Sequence, residues 1–289
     1  MTLGRGVVFI RQIDVSVIRD AVSRLCVEAN CHLGNDVLCK LKEAAIAEKT
    51  TIGQEILGQI IENAAIADNE EIPMCQDTGF AVVFMEIGQE TFLTGGNLLE
   101  AVNDGVREGY VNGFLRKSMV RDPLDRINTG DNTPAIVHLQ IVPGEQIKIT
   151  VAPKGGGSEN MSAMKMLKPA EGEEGVKRFV IDTVRNAGPN PCPPVIVGIG
   201  IGGTMEKAAI MAKHALTRTI GEESSDPDTS KLEKELLDSI NRLGIGPQGL
   251  GGSVTSLAVH IEKFPTHIAC LPVAVNIGCH AYRHKTVSI

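Results

Sequence analysis

The sequence predicts an α+β fold of irregular α/β character: a helical N-terminal region followed by mixed sheets flanked by helices. Three observations predict it. Apolar residues recur at helical spacing over about residues 14–70, β-branched apolar runs begin beyond Ile72, and helices and strands then mix without the even rhythm of a βαβ array. The 289 residues are read as one domain, with a helical part over about 14–70 and a mixed part over about 71–289.

Each element has its own signal. Asp14 can cap a helix running to about Leu33, Asn35 or Asp36 a second to about Lys49, and Thr50 or Thr51 a third ending near Asn69. Val37, Leu38, Leu41, Ala44 and Ala45 trace the apolar stripe of the second. Phe80 to Ile87 is a short β-branched run that suits a buried strand, and Asn97–Asn112 returns to helix. Ala135–Val142 and Gln146–Ala152, divided by Pro143-Gly-Glu145, predict a β-hairpin. A helix from Ala170 to about Asn186 precedes the proline-rich stretch Pro189–Pro194. Strand Val195–Ile201 and helix Thr204–Thr217 come next. Gly221–Ser230 is polar and expected to be exposed, and Lys231–Leu243 reads as helix. The last strands expected are Leu257–Ile261 and His267–Val275. Gly200-Ile-Gly-Gly-Thr204 and Gly249-Leu-Gly-Gly-Ser253 share one pattern, two glycine turns that could turn backbone N–H groups toward an anion or serve packing alone.

Composition excludes several classes. The net charge is −7 and no basic run stands out, so nucleic acid is not an expected partner. The apolar tetrad Val7–Ile10 is too short for a signal-peptide core. No window approaches the ~18 apolar residues of a membrane span, so the chain reads as cytoplasmic, with no membrane partner. Seven cysteines, an odd number without an export signal, argue for metal ligation or buried thiols rather than a disulfide framework.

Three cysteines stand in turn-forming contexts: Cys75 in Pro73-Met-Cys-Gln-Asp-Thr-Gly79, Cys192 in Asn190-Pro-Cys-Pro-Pro194 and Cys279 in Asn276-Ile-Gly-Cys-His280. Turns suit a metal cluster, which needs thiolates converging from separate segments. They lie too far apart in the chain for spacing to carry a signal, so cluster ligands and buried thiols both remain open. Cys26, Cys31, Cys39 and Cys270 are read as core thiols. Three ligands would be a meaningful number, because a [4Fe–4S] cube held by three thiolates keeps one iron open as a Lewis acid. Gln76 and Asp77 directly follow Cys75, and Arg116 lies just past a predicted helix. Gly155, Gly156 and Gly157 follow a predicted strand as a possible carboxylate cradle or a flexible turn. His267 starts the run toward Cys279 and could equally be a structural histidine.

Met74-Cys-Gln-Asp-Thr-Gly79, Lys154-Gly-Gly-Gly-Ser-Glu-Asn160, Asn190-Pro-Cys-Pro-Pro-Val-Ile-Val-Gly198, Gly244-Ile-Gly-Pro-Gln-Gly-Leu-Gly-Gly252 and the region around Cys279 together resemble class I fumarate hydratases. They are also similar to the wider group of iron–sulfur hydro-lyases that includes tartrate dehydratase. The resemblance runs from about residue 14 to the C-terminus. It implies that Cys75, Cys192 and Cys279 hold a [4Fe–4S] cluster, and that Gln76, Asp77, Arg116, the Gly155–Gly157 loop and His267 line the substrate pocket. Asp77 and His267 are the catalytic candidates, Asp77 as the group that handles a proton or positions a hydroxyl. Single-chain members continue into a second domain, whereas this chain stops ten residues after Cys279. The resemblance therefore implies the alpha subunit of a hetero-oligomer with a separate beta subunit, acting on a small dicarboxylic acid. The 154–160 loop favours fumarate and malate, with L-tartrate as the alternative.

Two other readings compete. Gly198-Ile-Gly-Ile-Gly-Gly203 satisfies the dinucleotide fingerprint, with Glu222 and Glu223 about twenty residues on, which would suit a nicotinamide-dependent oxidoreductase. A non-catalytic iron–sulfur sensor would use the same three cysteines without needing Arg116 or the triple glycine.

Overall fold

The computed structural model describes residues 11–289; the Val7–Ile10 tetrad lies outside the described residues. Strand β1 (Arg11–Asp14) leads into helices α1 (Val15–Cys31), α2 (Asn35–Ala47) and α3 (Thr51–Glu70). Then come β2 (Phe80–Gly88), β3 (Thr91–Thr94), α4 (Leu98–Asn112), β4 (Ile136–Val142) and β5 (Ile147–Lys154). The one-turn α5 (Gly156–Glu159) precedes β6 (Ala163–Leu167), α6 (Gly172–Ala187), β7 (Val195–Gly202), α7 (Met205–Ala215) and α8 (Pro227–Asn241). Strands β8 (Ser256–Phe264), β9 (Leu271–Gly278) and β10 (Lys285–Ser288) complete an α+β fold. No described helix is long and apolar enough to cross a membrane.

The chain divides into two units. The first holds residues up to Asn30, Gln76–Pro153 and His284–Ile289; the second holds Cys31–Cys75 and Lys154–Arg283.

In the first unit, a sheet of order β10-β5-β2-β4 packs against α1 and α4, and β1 pairs in parallel with β3. Ile18, Val22 and Leu25 of α1 meet Val102, Val106 and Tyr110 of α4, all buried. Each such aliphatic side chain contributes about 1.5–3 kcal/mol on burial. The two helices approach closely because α4 offers glycine: a Cβ at Gly105 would stand 2.5 Å from the Arg19 carbonyl oxygen. Asn97 caps α4 by accepting from the Leu99 and Glu100 N–H groups.

The expected hairpin between Ala135–Val142 and Gln146–Ala152 does not form. β4 pairs in parallel with β2, and β5 lies on the other side of β2. The Pro143-Gly-Glu145 turn instead wraps the end of β2, whose Gly88, Gln89 and Glu90 N–H groups donate to the carbonyls of Gln146, Val142 and Gly144. Burial decides the order. Ala81 through Met85 are buried on both faces and take a central place, whereas β4, with Ile136, Leu139 and Ile141 exposed, takes the edge.

The second unit is built on a sheet of order β6-β9-β7-β8, with β7 parallel to β8 and antiparallel to β9. Alternation along β7 assigns its two faces. Val195, Val197 and Ile199 join Val180 and Val184 of α6 and Leu236 and Ile240 of α8. Gly198 and Gly200 face α7, where a Cβ would stand 2.1 Å from the Ala212 carbonyl oxygen and 2.0 Å from that of Ala208. A third cluster joins Val37 and Leu41 of α2 and Leu57 of α3 to Leu216 and Leu257.

Three further expectations need correction. The run from His267 becomes strand only at Leu271, because residues 265–270 form an exposed loop. Thr229 and Ser230 are buried, since α8 begins at Pro227 and draws them under it. Among the thiols read as core, Cys26 and Cys31 are buried, but Cys39 sits on the outer face of α2 and Cys270 is half-buried in the loop before β9.

Candidate functional site

Cys75, Cys192 and Cys279 all belong to the second unit and carry free thiols. Cys75 follows the end of α3, where Asn63 Nδ2 donates to the Met74 carbonyl at 2.9 Å. Cys192 lies in the turn after α6 with a left-handed backbone, φ 55°, and its N–H donates to the Pro189 carbonyl. Cys279 stands one residue beyond β9. Cys75 and Cys279 pack against the same small apolar group of Ala67, Met74 and Ala281. Burial pushes the Cys192 thiol up, and the neighbouring Cys279 and Cys75 push it further. Cys192 thus feels both other thiols, and Cys75 and Cys279 share one apolar group.

Beside Cys279 lies a buried ionic group. Lys154 ends β5, is 7% exposed, and donates through Nζ to Ser158 Oγ and to the Ile277 carbonyl, each at 2.8 Å. Burial brings its pKa down to about 8, against the opposing pull of Glu159 at 3.4 Å. Glu159 also takes Lys213 and the Asn276 amide as partners. Burial raises its carboxyl, but Lys154 and Lys213 outweigh that and hold it below the usual range. The triple glycine opens a single helical turn. Gly155 is the N-cap of α5, and the Glu159 and Asn160 N–H groups donate to the Gly155 and Gly156 carbonyls.

Gln76, Asp77 and Arg116 belong to the first unit. Asp77 is half-buried and accepts from the Gly79 N–H at 2.9 Å. Thr78 Oγ1 donates to the Arg116 carbonyl at 2.9 Å, so the Asp77 turn and the Arg116 segment are tied together. The Tyr110 hydroxyl donates to the Thr78 and Gly79 carbonyls, and Asn132 Nδ2 to Gly79 O. Gln76 and Arg116 side chains are exposed.

His267 is exposed in the loop before β9, and its Nδ1 accepts from the Ala269 N–H. It lines a cleft of about 450 Å³ with Thr204, Lys207, Phe264 and Cys270, whose walls include none of Cys75, Cys192 or Cys279.

The two glycine turns differ. The first joins β7 to α7, and its glycines serve backbone packing. Glu222 and Glu223 then fall in a loop, where Glu223 pairs with Lys234, not at the end of a strand that could hold a ribose. The second does present N–H groups to an anion, but the anion is internal. The Ser253 and Val254 N–H groups donate to the buried Glu48 carboxylate, joined by those of Lys49 and Thr50. Burial alone would raise this carboxyl; the N–H bonds outweigh it and bring it down to about 2. Sequence reasoning missed Glu48, as it missed Lys154 and Asn132. Glu48 and Asn132 sit in polar stretches that carry no signal, and Lys154 was marked only by the triple glycine after it.

The donor set fits an iron–sulfur cube. Among the described residues no three His, Cys, Asp or Glu side chains gather closely enough to ligate a single metal ion. A cube differs, since each thiolate binds its own iron and the sulfurs stand farther apart than the ligands of one ion.

A family model described as fumarate hydratase (Fumerase) matches residues 19–288. A protein of Methanocaldococcus jannaschii, provisionally named L(+)-tartrate dehydratase subunit alpha, is 46% identical over 272 residues, covering 92% of this chain and 95% of that protein. The L(+)-tartrate dehydratase subunit alpha of Escherichia coli (strain UTI89) is 36% identical over 96% of this chain and 93% of its own length. The Shigella boydii protein of the same name is 35% identical over the same shares. With the match spanning nearly every described residue, the chain belongs to the fumarate hydratase (Fumerase) family.

Proposed function

We propose that the chain is the alpha subunit of an iron–sulfur hydro-lyase that removes water from L(+)-tartrate, working with a separate beta subunit. The observation that carries the substrate is the 46% identity to the tartrate-named relative over 92% of the chain. It shifts the preference drawn from the 154–160 loop, and fumarate–malate interconversion becomes the second reading, favoured by the family description alone.

Cys75, Cys192 and Cys279 would hold a [4Fe–4S] cluster. When bound, such a cluster supplies a Lewis acid that eases departure of a hydroxyl group. The chain's own residues do the rest. Asp77, its carboxylate oriented by the Gly79 N–H, handles the proton on the neighbouring carbon. Arg116 and Gln76 bind substrate oxygens, Arg116 as a carboxylate partner on a segment held by Thr78. Gly155–Gly157 would receive the second carboxylate at the start of α5. His267 is assigned to the pocket by resemblance, from its loop before β9.

The test is anaerobic reconstitution with a beta subunit, comparing kcat/KM for L-tartrate, fumarate and L-malate. Oxaloacetate formed from tartrate at the highest kcat/KM supports the proposal; malate formed from fumarate at the higher value installs the second reading. Iron and sulfide should fall in Cys75→Ala, Cys192→Ala and Cys279→Ala and stay unchanged in Cys26→Ala or Cys39→Ala. Cluster uptake without turnover of any hydroxy acid would instead indicate a sensor.

A further inference from the structure

The glycine-rich segment Gly244–Gly252 has no role in the scheme above, yet one of its side chains reaches both the Cys192 and Cys279 turns. Gln248 lies in the one-turn 3-10 segment Pro247–Gly249 with φ 50°. Its neighbours Gly246, Gly249, Gly251 and Gly252 all adopt positive φ, so glycine is the residue this backbone favours. A longer side chain in that conformation points to something it touches.

Gln248 touches the residues next to two cysteines. Its backbone N–H donates to the Pro193 carbonyl at 2.8 Å, and its side-chain Nε2 donates to the same oxygen at 3.0 Å. That Nε2 also lies 3.1 Å from His280 Nδ1. His280 Nδ1 is 3.0 Å from the Cys192 carbonyl oxygen, and the His280 backbone N–H donates to that oxygen at 3.4 Å. A carbonyl oxygen only accepts, so the bond to Cys192 requires Nδ1 to carry the proton; Gln248 Nε2, also a donor, then packs beside the ring and spends its bond on the Pro193 carbonyl. The residue after Cys279 thereby holds the carbonyl of Cys192, and Gln248 holds the residue after Cys192 with its amide packed beside the ring.

We infer that Gln248 and His280 are positioning residues, a hydrogen-bonded clamp that sets the separation of the Cys192 and Cys279 turns for a shared cluster. The inference rests on the reading that these cysteines hold one. Partners outside the ligand shell that orient ligands are worth about 10- to 100-fold in metal affinity. A clamp spanning two ligand turns belongs in that class.

Three variants separate positioning from plain structural support. Gln248→Asn tolerates the left-handed backbone and keeps the N–H bond to Pro193, but its amide falls one methylene short. His280→Asn keeps a donor where Nδ1 stands, and His280→Ala removes it. The full-length chain, reconstituted anaerobically with iron and sulfide, is challenged with a chelator while the visible absorption and the electron paramagnetic resonance of the mildly oxidised cluster are followed. Gln248→Asn and His280→Ala should lose the cluster at about 10- to 100-fold lower chelator, with apo-protein Tm at the wild-type value. His280→Asn should retain it. Wild-type retention in both weakened variants overturns the clamp. So does a fall in apo-protein Tm that parallels the loss of cluster. Should Gln248→Asn fail to fold, the His280 pair decides alone. Cluster loss in Cys192→Ala with none in the clamp variants removes only the clamp, whereas full iron in Cys192→Ala and Cys279→Ala removes the cluster reading as well.

Discussion

The Ser253 amide N–H forks across the carboxylate of Glu48, 3.0 Å from Oε1 and 2.8 Å from Oε2. Glu48 itself is 2% exposed. The contact closes the corner between α2 and α3 onto the glycine segment that carries Gln248. It fixes a pH dependence. The folded carboxyl titrates at about 2 against an ordinary 4.5, so its stabilisation is complete above pH 4.5 and is lost as pH falls toward 2. Glu48→Gln should cost about 2 kcal/mol at neutral pH, as expected for charge-assisted bonds. Urea unfolding of wild type and variant should converge between pH 4.5 and 2, and a gap unchanged over that window would contradict the assignment.

Asn132 is fully buried with φ 63° and holds three backbone groups. Its Oδ1 accepts from the Ser118 and Met119 N–H groups, and its Nδ2 donates to the Gly79 carbonyl. Asn132→Ala strands all three and places alanine in a conformation it resists, so about 2–3 kcal/mol of stability should go. Hydrogen exchange at the Gly79 amide, whose partner is Asp77, should accelerate along with it.

Lys154 offers a test of buried against exposed charge. Lys154→Met strands the buried Ile277 carbonyl and takes one of two cations from the half-buried Glu159, and should destabilise the cluster-free protein by about 1–3 kcal/mol. Lys177→Met breaks the contacts with Glu173 and Glu235, whose carboxylates are well exposed, and should cost under about 1 kcal/mol. Equal denaturation midpoints for the two variants would show that Lys154 is not bound as described.

Gly200→Ala would set a methyl group 2.0 Å from the Ala208 carbonyl oxygen, which no rotation relieves because both partners are backbone. A loss of about 1–3 kcal/mol is expected from prising α7 off β7. Gly58→Ala, on α3 with open space around its Cβ position, should leave thermal unfolding unchanged or slightly raised.

Much of this architecture was legible, and the failures have physical causes. Thr50, one of two candidates, caps α3, and the helix expected from Asn97 begins there, because a cap is local chemistry between a side chain and the next N–H groups; α2 departs from this, with Gly34 and not Asn35 or Asp36 at its N-cap. β1, β3, β6 and β10 escaped notice because four or five residues carry too little periodicity to register. The β4–β5 hairpin was misread because the inserted strand, β2, comes from fifty residues earlier, and no local pattern encodes a third strand threading a turn. At the site, the residue types of Cys75, Cys192 and Cys279 were visible and their turns were recognised. What could not be seen was how they are held. Gln248, His280 and Glu48 act through backbone carbonyls and N–H groups of distant segments, which leave no signature in residue identity.

The tight seating of α7 on β7 also bears on how such chains are classified. Gly198-Ile-Gly-Ile-Gly-Gly203 spells a familiar phosphate-binding signature, yet the Cβ positions of Gly198, Gly200 and Gly202 are taken by main chain, and Glu222 and Glu223 lie in a loop instead of ending a strand. A genome survey that tallies nucleotide-using proteins by that string alone would count this one without the acidic strand end that the fingerprint also needs. Requiring a strand with a terminal acidic residue beyond the helix would set the tally right.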